Sequence, residues 1–418
     1  MKYKTILQTF LSRFLILILS FGLIIYTTNV WGSAGKGVVS IVTADLAVIM
    51  FLSNIFAGGS VSFFSSKFQT GTILFHAYSW SIVSGIVTPL LLSWAHPQSF
   101  TVYLIALSVL TSLLTTNINL FVGKQHIKMY NLYTILQLAV HFLFILGMVN
   151  VLHYTDITGY FVAQILAYVL LFIISFIQIF RLYKLSEFKL SKNIAAQLFS
   201  YGWKSQLSAF LQFLNNRLSY YFLEFSKGIA SVGIFSVGVA FSEAIWTMSR
   251  TLALVLYADI INSEHKEDAI LKTKISMKIS FLVTLVSLGL MLLIPASLYA
   301  MIFGKDFSQT KEIIILLSPG ILAIAVSNVL GFYFAGVNKL RILNIKSLVG
   351  LVFTIIASWY CIPRWGIVGG CIVTSVSYLL SSGILFWNFY QLTTFKIQDF
   401  FFSRTDFQLL LQKIKRRP

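Results

Sequence analysis

The residues that decide the fold run from Leu198 to Asp259: LFSYGWKSQLSAFLQFLNNRLSYYFLEFSKGIASVGIFSVGVAFSEAIWTMSRTLALVLYAD. They form two long apolar stretches of helical character that also carry Lys204, Arg217, Glu243 and Arg250. A charged side chain at a bilayer centre costs about 2.5–3.5 kcal/mol on insertion scales, so four of them in one hairpin require a reason. The expected reason is a water-filled cavity that handles a charged cargo.

The surrounding composition supports a membrane setting. Of 418 residues, 57% are apolar and 11% charged, and the mean hydropathy is +0.85. Soluble domains carry about 25% charged residues. Apolar blocks long enough to span recur along the whole chain and leave no room for a sizeable soluble domain. The net charge of +18 does not indicate nucleic acid, because the basic residues lie in short connections between apolar blocks, where they report topology. Cys361 and Cys371 fit neither a disulfide framework nor a metal site, and packing is the expected role. The N-terminal apolar run resembles a signal peptide but continues to about Val30 without a small-x-small cleavage site, so it reads as an uncleaved first span.

Twelve spans are expected, over roughly 10–30, 38–58, 72–94, 99–121, 131–151, 157–180, 197–223, 229–256, 275–303, 311–335, 343–362 and 366–390. With the N-terminus on the cytoplasmic side, 23 of the 31 Lys and Arg residues fall on the inner side. Five (Lys36, Lys227, Lys305, Lys311, Arg364) fall on the outer side, and Lys204, Arg217 and Arg250 lie within the membrane. That alternation places both termini in the cytoplasm. The predicted organisation is an N-terminal six-helix lobe (1–182), a cytoplasmic linker (183–196), a C-terminal six-helix lobe (197–392) and a basic amphipathic cytoplasmic tail (393–418). An internal repeat supports two halves. Gly123-KQHIKMY-Asn131 recurs as Gly336-VNKLRIL-Asn344, and Gly159 with Tyr168 recurs as Gly369 with Tyr378. Transporters are often built from such repeats, with the substrate site between them.

Polar residues inside the spans are the candidate functional groups. Lys204, Ser208, Gln212, Asn215 and Ser219 fall within about 80° of one another on a helix and predict a wet face. Arg217 points to the opposite side. It can snorkel, pair with Glu224, or reach Asp45. Glu243 is either a proton or cation site or a counter-ion that positions an arginine. Arg250 lies two turns from it, too far for a direct bridge. Ser108, Thr111, Ser112, Thr115 and Asn119 share a face whose favoured role is packing. His76 and His141 are expected to be packed, and Pro89, Pro295 and Pro319 are expected kinks. Enzyme signatures are missing. Gly32-SAGK-Gly37 lacks the ending of a phosphate loop, no histidine pair has metal-ligand spacing, and there is no nucleophile elbow.

Several segments, in order, resemble the polysaccharide-flippase branch of the multidrug/oligosaccharidyl-lipid/polysaccharide exporter superfamily, across nearly the whole chain. These are NNRLSYYFLEFSKGIASVGIFSVGVAFSEAIWTMSR (215–250), FGKDF (303–307), LLSPGILAIAVSNVLGFYFAGVNK (316–339) and IPRWGIVGGCIVTSVSYLL (362–380). Where the family is expected to have an aspartate shortly after the span-7 arginine, this chain has Ser219. The resemblance implies an all-α integral membrane protein of two pseudo-symmetric six-helix lobes that open alternately to either side. It also implies undecaprenyl-pyrophosphate-linked oligosaccharide as cargo, moved from the inner to the outer leaflet of the bacterial cytoplasmic membrane for O-antigen or capsule. The polymerase and chain-length machinery are candidate partners, beside the polyprenyl-linked cargo and membrane lipids. On this expectation Arg13, Lys204 and Arg250 capture the pyrophosphate, since cations replace its lost hydration. Asp45, Arg217 and Glu243 rearrange during transport. No cofactor is expected beyond candidate coupling to a proton or sodium gradient. A multidrug exporter of the same superfamily, and a membrane glycolipid polymerase or ligase, are the alternatives.

Overall fold

A computed structural model describes residues 3–95, 100–183, 190–261, 266–337 and 339–393, which are helical almost throughout and contain no strand. In chain order the helices are α1 (Tyr3–Ala57), α2 (Gly59–Phe64), α3 (Thr70–Ala95), α4 (Thr101–Gly123), α5 (Ile127–Leu146) and α6 (Thr158–Leu182). They continue as α7 (Lys192–Lys227), α8 (Ile229–Ile261), α9 (Lys266–Leu293), α10 (Ala296–Phe303), α11 (Thr310–Gly336) and α12 (Leu340–Leu392). The expected basic tail lies outside the described residues from position 394 onward, as do residues 184–189 of the expected linker.

Nine helical segments among the described residues are long and apolar enough to cross a membrane, and the chain is a multi-pass membrane protein. Only helices can do this in isolation, because a lipid-exposed backbone must satisfy its own hydrogen bonds. Two of the nine are divided by a glycine with positive φ: Gly32 (φ 65°) in α1 and Gly366 (φ 54°) in α12. L-residues with a side chain adopt that region at a cost, which explains glycine there. α7 is not among the nine. Lys204, Gln206, Gln212, Asn215, Asn216 and Arg217 make it too polar.

Five of the six connections expected on the outer side turn at a left-handed residue: Gly32, His153, Gly228, Gly304 and Gly366. The sixth lies in residues 96–99, outside the description. A turn through one such residue returns the chain within a few positions, so these connections are short. Next to His153, Asp156 accepts hydrogen bonds from the hydroxyl and backbone N–H of Thr158. Those bonds favour the ionised form and hold its carboxyl below the usual carboxylate range. The glycines of the sequence repeat are both helix ends. α4 stops at Gly123 and α11 at Gly336, and the next helices start at Ile127 and Leu340. Pro295 does more than the expected kink. It ends the helix, so the predicted span 275–303 is two helices, α9 and α10. A proline ring clashes with the preceding turn and offers no N–H to bond.

The chain packs as two compact units, Met1–Phe210 and Leu211–Pro418, with the division inside α7. In the first unit α1 packs on α3, α4 and α5, and α6 packs on α4 and α5. In the second, α8, α9 and α12 pack on α11. Hydroxyls serve in two ways. Thr27, Thr43, Thr116, Thr134 and Thr273 donate to a carbonyl four residues back in their own helix. Others bridge helices: Ser108 to Gly85 O (2.6 Å), Ser112 to Ser81 (2.6 Å), Ser280 to Ala325 O (2.9 Å) and Ser382 to Ala323 O (2.9 Å). Asn119 donates to Ala57 O and accepts from Ser62. The polar face of α4 thus packs, as its sequence suggested. His76 accepts the backbone N–H of Ser191 (3.2 Å), and His141 contacts Tyr160 O (3.3 Å). Cys361 and Cys371 are both free thiols.

Gly123 lies so close to Ser62 and Ser65 that a Cβ would collide with them, whereas a Cβ on Gly289 in α9 would point into open space. Gly123→Val is expected to cost about 1–3 kcal/mol and to lower the thermal unfolding midpoint in detergent. Gly289→Ala should leave the midpoint unchanged or raise it slightly, since glycine within a helix costs about 0.5–1 kcal/mol relative to alanine.

Candidate functional site

The membrane charges fall into two classes. In the second unit, Arg217 of α7 and Glu243 of α8 form an ion pair with N···O 2.7 Å and side chains 22% and 32% exposed. Arg217 also donates to the Tyr220 hydroxyl one turn along (3.0 Å) and lies 5.1 Å from the centre of that ring. Tyr220 is buried and meets Phe235 of α8 edge-on. Tyr378 of α12 also stands near the pair and packs on Trp246. The chemistry is that of a clamped guanidinium. A carboxylate neutralises it, and a phenol takes a further N–H and sets its ring beside it.

This arrangement corrects part of the expectation. Glu243, read either as a proton or cation site or as a counter-ion that positions an arginine, has Arg217 as its partner, which is the second of those alternatives. Arg217 takes Glu243 as a carboxylate partner, a pairing the sequence reading did not name for it. Ser219, where an aspartate was expected, contacts Thr374 (3.3 Å). The arginine is paired all the same, from a different helix.

The remaining cations are open. Lys204 and Arg250 are exposed and have no hydrogen-bond or ion-pair partner among the described residues. Arg13, also exposed, donates to the Tyr130 hydroxyl of α5 (3.0 Å). Lys204 and Arg13 belong to the first unit, Arg250 to the second. Asp45 is 4% exposed within α1 and engaged in its own interactions. Of the six candidate residues, the structure brings together Arg217 and Glu243.

The polar stripe of α7 is also corrected. Asn215 is buried, and its Oδ1 accepts from Thr354 (2.7 Å) and Ser377 (2.9 Å). Gln212 accepts from Ser347 (3.4 Å). These residues join α7 to α12, so from Gln212 to Ser219 the stripe is a helix–helix contact rather than a wet face. Interhelical hydrogen bonds of this sort are ordinary in membranes. The side chain of Ser208 is outside the description. Tyr130, Tyr220 and Tyr378 are the site residues that sequence reasoning missed. Only Tyr220 had a local signal, three residues after Arg217 and so on the same helical face. No group of three or more His, Cys, Asp or Glu side chains among the described residues could hold a metal.

Comparison with known proteins gives the fold its class. No protein-family profile matches the chain. It is 26% identical over 191 residues to the capsular polysaccharide biosynthesis protein CapF of Staphylococcus aureus, a match covering 44% of this chain and 47% of that protein. The chain thus spans about half the length of that relative. Among solved structures it is similar to the lipid II flippase MurJ, with a TM-score of 0.73 and 14% identity, covering 98% of this chain and 95% of MurJ. An inward-facing multidrug-resistance MATE transporter of the MOP superfamily aligns with a TM-score of 0.65 at 15% identity, over 90% and 93% of the two chains. The eukaryotic MATE transporter AtDTX14 gives 0.65 at 14% identity over 95% of each chain. The fold is therefore the one shared by MurJ and the MATE transporters.

Removing one member of the clamped pair leaves the other charge without its partner. Arg217→Gln or Glu243→Gln is expected to destabilise by about 1–3 kcal/mol, the range for a lost charged partner scaled down for partial exposure. The double variant should lose less than the sum of the two, a coupling readable in thermal unfolding of the four purified proteins.

Proposed function

We propose that this protein is a flippase for polyprenyl-pyrophosphate-linked oligosaccharide. It carries the repeat unit from the inner to the outer leaflet of the bacterial cytoplasmic membrane by alternating access, for surface polysaccharide. On this reading the chain has twelve spans, with both termini cytoplasmic. Division at Gly32 and Gly366 accounts for eleven of them, and the polar helix α7 is the twelfth.

The observation that carries the proposal is the imbalance of usable charge. The membrane helices present Lys204, Arg250 and Arg13 as exposed cations, while the carboxylate of Glu243 is already neutralised by Arg217 at 2.7 Å. Exposed cations in a membrane helix suit an anion such as pyrophosphate, whose lost hydration they replace. The fold likeness to a lipid II flippase and the sequence likeness to a capsular polysaccharide biosynthesis protein favour a lipid-linked saccharide. The chain itself performs no covalent chemistry in this reading. O-antigen and capsule units share the recognised pyrophosphate, and the polymerase and chain-length machinery would meet the cargo after export. Coupling to a proton or sodium gradient would act through rearrangement of Asp45, Arg217 and Glu243.

A multidrug or cation antiporter shares the fold but needs an acidic site, which the paired Glu243 does not offer. A glycolipid polymerase or ligase needs an outer acceptor-binding loop, and the left-handed turns leave none among the described residues. Lys204→Gln with Arg250→Gln is expected to reduce surface polysaccharide at least tenfold in the native host, with membrane insertion unchanged. Normal polysaccharide in that variant would refute the pyrophosphate role. Raised drug susceptibility in a strain lacking the protein, with normal polysaccharide, would favour the antiporter.

A further inference from the structure

We propose that Lys346 and the side-chain amide of Asn215 form an oxyanion-binding subsite where α7 meets the two halves of α12. The inference rests on the flippase reading and deepens it, since it gives the cargo a second anionic contact besides the one assigned to Arg13, Lys204 and Arg250. All residues of the subsite belong to the second unit.

By sequence Lys346 stands with Lys339 and Arg341 among the inner-side cations. The structure separates them. Lys339 and Arg341 are exposed at the start of α12, whereas Lys346 lies in the second turn of that helix and is mostly covered by protein. Its ammonium has no hydrogen-bond or ion-pair partner among the described residues. Ser381, from the second half of α12, reaches this residue at its carbonyl (3.3 Å) and not at its side chain. A lysine carries three N–H donors and no acceptor. An ionisable group inside a membrane protein without an internal counter-charge marks an ion or substrate contact.

A second donor without an acceptor stands one turn further along. Asn215 is 2% exposed, and its Oδ1 accepts from Thr354 and Ser377, but its Nδ2 is buried without a partner. That nitrogen faces Gly350, where a Cβ would collide with it and with the Ser381 hydroxyl. Gly350 comes four residues after Lys346, so both lie on one face of α12. The nearby polar contacts add amides and hydroxyls. Ser347 donates to Gln212 (3.4 Å), and Gln212 donates to Asn216 (3.0 Å). The carboxylate of Glu243 is held by Arg217. An ammonium on α12 and an amide on α7 therefore lack the same thing, and an oxyanion supplies it. Charge-assisted bonds from the ammonium carry most of the attraction, and the amide recovers an acceptor that burial denies it. The recognised chemistry is shared by a diphosphate and by the carboxylate of an acidic sugar.

The test uses the purified full chain in detergent, with Arg13→Gln, Lys204→Gln and Arg250→Gln introduced so that the capture cations already assigned do not contribute. Inorganic pyrophosphate, glucuronate or glucose is added, with ionic strength held constant by sodium chloride, and the thermal unfolding midpoint reports binding by mass action. Pyrophosphate, glucuronate or both are expected to raise the midpoint saturably, and glucose and chloride are not. A response to pyrophosphate alone assigns the subsite to the diphosphate of the cargo, to glucuronate alone to an acidic sugar, and to both to either oxyanion. Adding Lys346→Gln should weaken the apparent affinity at least tenfold, and Lys346→Arg should retain it. Asn215→Asp, which sets a carboxylate against Gly350, should abolish the response. A second measurement needs no ligand. In plain buffer Lys346→Met should raise the midpoint, because it removes a covered charge that no internal group neutralises. A lysine with a structural partner would lower it on substitution. No response to either oxyanion, a response that survives Lys346→Gln or Asn215→Asp, or a lower midpoint in Lys346→Met overturns the subsite. The capture cations are absent from these measurements, so a failed subsite is distinguishable from a failed polysaccharide assignment, which the Lys204 and Arg250 variant reports in the host.

Discussion

Every polar group that this chain carries into hydrocarbon must find its partner within the protein, and most of the architecture follows from that requirement. Backbone groups meet it by forming helices almost without interruption. The side-chain oxygen of Asn215 meets it with two hydroxyls of α12, the amide of Asn117 with Ser175 of α6, and Trp80 with the Leu52 carbonyl. Arg217 and Glu243 meet it with each other. Among the charged side chains of the described residues, Lys204 and Arg250 stand out against this background, because they are exposed and have no such partner.

That contrast organises the chemistry. A paired guanidinium is a structural element whose positive charge is already spoken for. An exposed ammonium or guanidinium in the same helix hairpin has hydration to exchange and no internal anion to hold it. Lys204 and Arg217 lie on one continuous helix, yet they belong to different packing units and to different classes of charge.

Much of the fold was legible because it depends on chain-local quantities. Apolar length marks the membrane-spanning helices, and the glycines at 123 and 336 mark helix ends. The polar face of α4 was also correctly read as packing. The site was less legible, for a physical reason. Gln212, Asn215 and Ser219 make the same stripe whether they face water or the hydroxyls of another helix, and only the identity of the facing helix decides. The hydroxyls that complete the contact, Ser347, Thr354, Thr374 and Ser377, lie more than a hundred residues away. Arg217 and Glu243 were separated in the reading because each was placed on its own helix. Their angular relation depends on the turn at Gly228, whose φ of 83° no helical wheel contains.

The two kinds of hydroxyl have different freedom to vary. A threonine that bonds back to its own helix, such as Thr43 or Thr134, satisfies a group that it brought in itself, so removing the hydroxyl removes the need as well. A serine that bridges helices, such as Ser112 or Ser280, fixes the distance and rotation between two elements, and its loss opens a gap that neither neighbour can fill. Composition counts both alike. Descent with modification should not: the first set can drift to alanine or valine one position at a time, while the second can change only together with the helix it faces. Divergence in a protein of this kind would therefore concentrate on hydroxyls whose absence goes unnoticed by any second helix.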